Sequence, residues 1–178
     1  YGLPLDDKEV YKYFKKGWNS DVFQFGSKGL SEFSKQLKPR KIDDLIAGVA
    51  LYRPGAMENK FHTAYCRRKD GKEPVKYMWG TEDVAKGTYG LIIYQEQVME
   101  SCQKIGDFTG DESNATLKAL GKKKVDKLKP WRKKFVDSAI KKGCPEEEAN
   151  ELWDMMLEFA KYSFNLSHSA AYAITGYV

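Results

Sequence analysis

The chain has 178 residues, 42% of them hydrophobic and 13% aromatic, with 31% charged and a net charge of +5. That composition excludes wholesale disorder, and no apolar run approaches the ~18 residues of a membrane-spanning helix. Three cysteines, far apart and with no Cys-x-x-Cys pair, exclude a disulfide scaffold and fit a reducing, cytoplasmic setting.

The length suits one domain, or two small ones sharing a core. Tyr1-Gly2-Leu3-Pro4 lacks an initiator Met and a signal peptide, and Ala173–Val178 stops inside an apolar helical pattern. Both ends read as cut from a longer protein.

Most of the chain reads as helix. Asp6–Lys16 is a short amphipathic helix with Val10 and Phe14 inward, stopped by Gly17. Val22-Phe23-Gln24-Phe25 alternates and predicts a brief strand or an extended entry. Ser27–Lys38 places Leu30, Phe33 and Leu37 at helical spacing before Pro39. Ile42, Leu45, Ile46, Val49 and Ala50 give the clearest helical stripe, and Pro54-Gly55 then forces a turn that fixes the direction of Arg53.

A helix is predicted from Met57 to Arg68, ended by Asp70-Gly71. Gly71–Gly90 is the least regular segment, a small hairpin or an exposed loop. Helix resumes over Ile92–Ile105, and Asp111 can cap another running to about Leu120 and Gly121. Trp131, Phe135, Ala139 and Ile140 predict the core face of the next helix. Pro145 starts one whose glutamates suit its N-terminal end, with Ala149, Leu152, Trp153, Met156 and Ala160 inward.

Charge is strongly segregated. Between Lys118 and Lys142 only Asp126 and Asp137 oppose a dense run of lysine and arginine, and Glu146, Glu147, Glu148 and Glu151 follow at once. Such a face suits a polyanion, although a solvated lysine-rich helix looks the same. His62 and Cys66 lie one helical turn apart, but two ligands do not make a zinc site.

Residues 162–172, Tyr-Ser-Phe-Asn-Leu-Ser-His-Ser-Ala-Ala-Tyr, are the most informative stretch. Asn165 or Ser167 can cap the helix that follows, leaving backbone N–H groups at a turn that attracts phosphate. His168 and Tyr172 are four apart and share one face beside that end. Ser and Asn also cap helices of no special function. The motifs of a Rossmann fold, a P-loop, a nucleophile elbow and an Asp-x-Asp magnesium pair are all absent.

Six blocks taken in order resemble one family, the alpha subunit of bacterial DNA polymerase III, the C-family replicative polymerases. They are Asp21–Phe25, Asp43–Ala47, Ala50–Gly55, Thr88–Met99, Ala119–Lys124 and Tyr162–Tyr172. The resemblance implies a mainly α, multi-helix fingers domain with at most a short strand or hairpin. Residues 1–20 would form the connection from the palm side and residues 21–178 the fingers, truncated at the C-terminal end.

It also implies that the parent joins a DNA 3′-hydroxyl to the α-phosphate of a dNTP. Magnesium would be held by palm aspartates outside this chain, so no residue here is expected to be catalytic or metal-binding, and the fragment alone is expected to be inactive. Arg53, Lys118, Asn165, Ser167, His168 and Tyr172 would bind dNTP. Lys122, Lys123, Lys124, Lys127, Arg132, Lys133 and Lys134 would follow the DNA backbone. The implied partners are template/primer DNA, dNTP, the remainder of the polymerase chain and replisome subunits, with no membrane.

Three positions depart from the family pattern. Leu117 precedes Lys118 where two basic residues are usual, Leu166 stands where lysine is usual, and Gly26 replaces a common glutamate. Each charge-assisted phosphate contact is worth roughly 1.5–3 kcal/mol, so two missing cations would weaken nucleotide binding ~100-fold or more unless nearby lysines substitute. The alternative reading is a degenerate, non-catalytic DNA-binding module or polymerase-assembly domain. Persistence of Arg53, His168 and Tyr172 favours a divergent polymerase.

Overall fold

The computed structural model describes residues 4–121 and 128–178. Lys122, Lys123, Lys124 and Lys127, expected to follow DNA, lie outside the described residues. Among the described residues there are eleven α-helices and no strand, so the fold is mainly α. The helices are α1 (Lys8–Lys16), α2 (Lys28–Leu37), α3 (Ile42–Leu51), α4 (Pro54–Glu58), α5 (Phe61–Lys69), α6 (Glu82–Ala85), α7 (Gln95–Gly106), α8 (Gly110–Gly121), α9 (Lys129–Lys141), α10 (Glu146–Tyr162) and α11 (Leu166–Tyr177). No helix among the described residues is long and apolar enough to cross a membrane.

The chain forms two compact units. One takes the chain up to Glu73 together with Phe164–Val178, and the other takes Pro74–Ser163. The first unit is therefore discontinuous in sequence.

In the first unit α3 is the central helix, packed along α11 and meeting α2, α4 and α5. Ala47 and Ala50 of α3 and Ser169 and Ala173 of α11 are buried, while Gly48 faces Leu37 of α2, where a Cβ would lie 3.0 Å from it; such small residues let helices approach closely. The beginning of α1 is tied to the end of α11. The Asp7 N–H donates to the Tyr177 hydroxyl at 2.8 Å, and the Tyr11 and Tyr177 rings lie 5.5 Å apart. Asp7 caps α1, and Gly17, at φ 68°, ends it in the left-handed conformation that glycine adopts without strain.

A buried charge pair joins three helix ends. Lys69 and Asp44 are 2% and 0% exposed at their side chains and lie 3.1 Å apart. Lys69 Nζ also donates to the carbonyls of Leu37 at 2.6 Å and Lys38 at 2.9 Å. Asp44 accepts from the Arg40 N–H at 2.7 Å and from the Tyr65 hydroxyl at 3.3 Å. Burial lowers the Lys69 pKa, and the Asp44 carboxylate pulls it back up.

The second unit gathers α7, α8, α9 and α10 around Phe108, Phe135 and Trp153, with Trp131 against their edge. Gln97 uses its whole side-chain amide. Its oxygen accepts from the N–H groups of Ile93 at 2.9 Å and Tyr94 at 3.0 Å, and its nitrogen donates to Val84 O at 3.1 Å and Thr88 Oγ1 at 2.7 Å. The Thr88–Met99 block is thus bound together from inside.

Several local expectations are corrected. Val22–Phe25 is neither a strand nor extended. Consecutive turns run from Asn19 O to the Val22 N–H at 3.2 Å and from Val22 O to the Phe25 N–H at 3.0 Å, with Gln24 at φ 65°. Asn19 closes this loop by donating to Phe25 O at 2.7 Å. Tyr11, not Val10, shares the inward face of α1 with Phe14. The helix expected over Met57–Arg68 is two, because Pro54 starts α4 early and Lys60, at φ 58°, breaks the run before α5.

Gly71–Gly90 carries α6 and a 3-10 turn at Lys86–Thr88, not a hairpin. The start of α8 is capped by Thr109 rather than Asp111. Its hydroxyl accepts from the Glu112 N–H at 3.2 Å, and the Glu112 carboxylate accepts from the Thr109 N–H at 2.7 Å. Ile140 is 39% exposed, and Val136 takes its place in the core.

Two outcomes test these supports. Lys69→Met leaves Asp44 buried without its counter-charge and should cost about 3–5 kcal/mol in urea-induced unfolding. Asn165, at the start of α11, accepts from the His168 N–H at 2.8 Å. Asn165→Ala should cost about 1 kcal/mol, read as a lowered Tm.

Candidate nucleotide site

The first turn of α11 borders a hollow of about 560 Å³ in the first unit. The wall is built from Val22, Gln24, Gly26 and Ser27 of the turn segment, Leu30 of α2, Val49, Tyr52 and Arg53 at the end of α3, and Phe164, His168 and Tyr172. Among the described residues lining it, Arg53 brings a positive charge and none brings a carboxylate.

Each wall element has a local cause. Ser27 caps α2 by accepting from the Leu30 N–H at 3.2 Å, which brings the end of the turn segment to that helix. Tyr52 fits only because residue 29 is glycine. A Cβ there would fall 1.7 Å from the Tyr52 hydroxyl. The Tyr52 ring stacks on Phe33 at 6.0 Å and 22°. Arg53 precedes Pro54 in extended conformation, at φ −150° and ψ 150°, as a residue before proline prefers. Its Nε donates to Ala50 O at 3.0 Å, and its guanidinium carbon lies 4.3 Å from the Phe164 ring centre. Burial lowers the Arg53 pKa, but a guanidinium starts so high that its charge persists.

A succession of rings runs along one side. Phe164 meets His168 edge-on at 5.2 Å, His168 meets Tyr172 at 4.3 Å, and Tyr172 tilts against Phe23 at 5.7 Å. The four-residue spacing of His168 and Tyr172 on α11 produces their contact directly.

The expected site residues divide as follows. Arg53, His168 and Tyr172 line the hollow together. Asn165, not Ser167, is the cap, and its side-chain oxygen is engaged with its own helix. Ser167 is exposed on the first turn of α11. Lys118 is exposed on α8, in the second unit.

The cations of α9 meet acids of their own unit. Arg132 pairs with Asp154 at 3.1 Å, Lys133 with Asp137 at 2.5 Å, and Lys134 with Glu112 at 2.6 Å. The Lys134 ammonium holds the Glu112 carboxyl below its ordinary pKa. Gln24, Tyr52 and Phe164 line the hollow although the sequence offers them only as members of the family blocks, and Ser27 although it is read only as a helix start. The glycine at 29 and the arginine next to Pro-Gly were the available signals.

Among the described residues no group of three or more His, Cys, Asp and Glu side chains is placed to hold a metal ion. The magnesium implied by the resemblance has no ligand set there. The groups that face the hollow are a guanidinium, an imidazole, hydroxyls and flat rings, a set whose chemistry suits an anion carried on a flat ring.

Residues 2–143 match the family model described as the bacterial DNA polymerase III alpha subunit finger domain. The DNA polymerase III alpha subunit of Aquifex aeolicus is 47% identical over 98% of this chain and 15% of its own length. That of Thermus aquaticus is 40% identical over 98% of this chain and 15% of its own length. That of Escherichia coli K12 is 38% identical over 98% of this chain and 16% of its own length. The chain thus spans about 15% of the length of these relatives. It belongs to the finger-domain family of the bacterial DNA polymerase III alpha subunit.

Proposed function

We propose that the hollow beside α11 receives an incoming deoxynucleoside triphosphate during template-directed DNA synthesis. The observation that carries this reading is the meeting of Arg53, His168 and Tyr172 around about 560 Å³, a volume in the range of small-molecule sites. Arg53 supplies charge to the triphosphate. His168 hydrogen-bonds phosphate or sugar, and Tyr172 offers a ring to the base or sugar. The first turn of α11 adds the positive end of its dipole.

In phosphoryl transfer the protein contributes mainly position and charge stabilisation, and these side chains can give both. The polymerase that carries this domain would join a primer 3′-hydroxyl to the nucleotide α-phosphate and release pyrophosphate. Magnesium, supplied from outside the described residues, would be its metal.

Contact with template and primer is a second part of the proposal, and it falls to Lys118 and the lysines of 122–127 more than to α9. The α9 cations already share their charge with Asp154, Asp137 and Glu112, which reduces what they can offer a phosphate. A DNA-binding module without a nucleotide site would behave differently, with salt-dependent DNA affinity and no role for Arg53.

Steady-state kinetics of the full polymerase chain separates the two readings. Arg53→Ala should raise KM for dNTP by about 10- to 100-fold, the loss of one charge-assisted phosphate contact, with primer–template affinity unchanged. An unchanged KM would remove the nucleotide reading.

A further inference from the structure

We infer that Phe164 is a positioning residue, holding Arg53 and His168 in the arrangement that the nucleotide reading above requires. The inference rests on that reading and adds a residue to it. Phe164 occupies the short segment between α10 and α11, where nothing in the helical pattern demands an aromatic side chain. Its ring touches both charged and polar members of the wall. The Arg53 guanidinium lies over it at 4.3 Å, and His168 meets it edge-on at 5.2 Å and 77°.

The residues on either side of Phe164 are each engaged with their own helix. The Ser163 hydroxyl donates to Ala160 O at 3.0 Å. Asn165, the next residue after Phe164, caps α11 through the His168 N–H at 2.8 Å. The Phe164 ring is only half-buried, so core filling alone does not account for it.

Arg53 has a long, flexible side chain that would otherwise sample many rotamers. Its Nε bond to Ala50 O holds one point of the guanidinium, and the Phe164 ring lies against its central carbon at 4.3 Å. A guanidinium held at two points has fewer directions open to its N–H groups, which suits a phosphate better than a mobile cation does. Phe164 need not touch the nucleotide. It lowers the cost of ordering the groups that do.

The test is a double-mutant cycle in the full polymerase chain. Phe164→Leu keeps an apolar side chain but removes the ring face, and it should raise KM for dNTP about three- to tenfold, with kcat changed less than about twofold. Phe164→Trp, which restores a face, should return KM to within about twofold of the parent. In the Arg53→Ala background, Phe164→Leu should add less than about twofold, because its effect passes through the missing guanidinium. Phe164→Met serves in place of leucine if that variant unfolds, as judged by thermal melting.

A parental KM in the leucine or methionine variant, no rescue by tryptophan, or full additivity with Arg53→Ala would each overturn the inference. If Arg53→Ala raises KM but the two changes are additive, only the positioning role falls. If Arg53→Ala leaves KM unchanged, the nucleotide reading falls and takes this inference with it.

Discussion

Asp44 and Lys69 hold opposite charges out of water, and the first unit is arranged around the need to satisfy them. An isolated buried charge would cost several kcal/mol even after relaxation. The ammonium has three acceptors, Asp44 and the carbonyls of Leu37 and Lys38, matching its three donors. The carboxylate is met in turn by the Arg40 N–H and the Tyr65 hydroxyl. These bonds join the end of α2, the start of α3 and the end of α5. Once the start of α3 is fixed, ten residues of helix carry that constraint to Tyr52 and Arg53 at its far end. The Arg53 guanidinium then takes its place through its own contacts, with Ala50 O at 3.0 Å and the Phe164 ring at 4.3 Å.

The hollow draws its wall from parts of the chain far apart in sequence, and different forces place each part. Turn hydrogen bonds and the Asn19 side chain shape the segment before α2. Helix packing presents the end of α3, aided by a glycine that leaves room for Tyr52. A cap and a chain of ring contacts arrange the start of α11. The electrostatic result is simple. A cation and the positive end of a helix dipole share a wall without a carboxylate, which favours an anion. The second unit treats charge in another way. Three cations of its lysine-rich helix pair with acids, Arg132 and Lys134 with Asp154 and Glu112 of neighbouring helices and Lys133 with Asp137 of the same helix, so its basic composition overstates the charge it offers to a partner.

Much of the fold was legible because helices announce themselves through spacing and end signals. Ser27, Gly17 and Pro145 marked ends of helices, and Ala149, Leu152, Trp153 and Met156 marked the buried face of α10. The errors came where a non-local partner decides. Val22–Phe25 alternates like a strand, but among the described residues no strand stands beside it to pair with, and Asn19 takes the Phe25 carbonyl instead. Val10 and Tyr11 are both apolar enough for the core. The Tyr177 ring, distant in sequence, selects Tyr11. At the site, the spacing of His168 and Tyr172 was readable from the helix repeat, as was the proline that directs Arg53. The seat of Arg53 on Phe164 was not, because it joins residues more than a hundred positions apart that share no periodicity.

The interrupted composition of the first unit has a consequence for its biogenesis. The ninety residues from Pro74 to Ser163 form another unit between α5 and α11. At ribosomal elongation rates of about 5–20 residues per second, α3 waits roughly 6–25 s for the helix it packs along. During that interval the side of α3 that packs along α11 lacks its partner, while the intervening unit already possesses all its own segments. The wall of the hollow, which includes Phe164, His168 and Tyr172, is therefore completed only after the intervening unit has been synthesised.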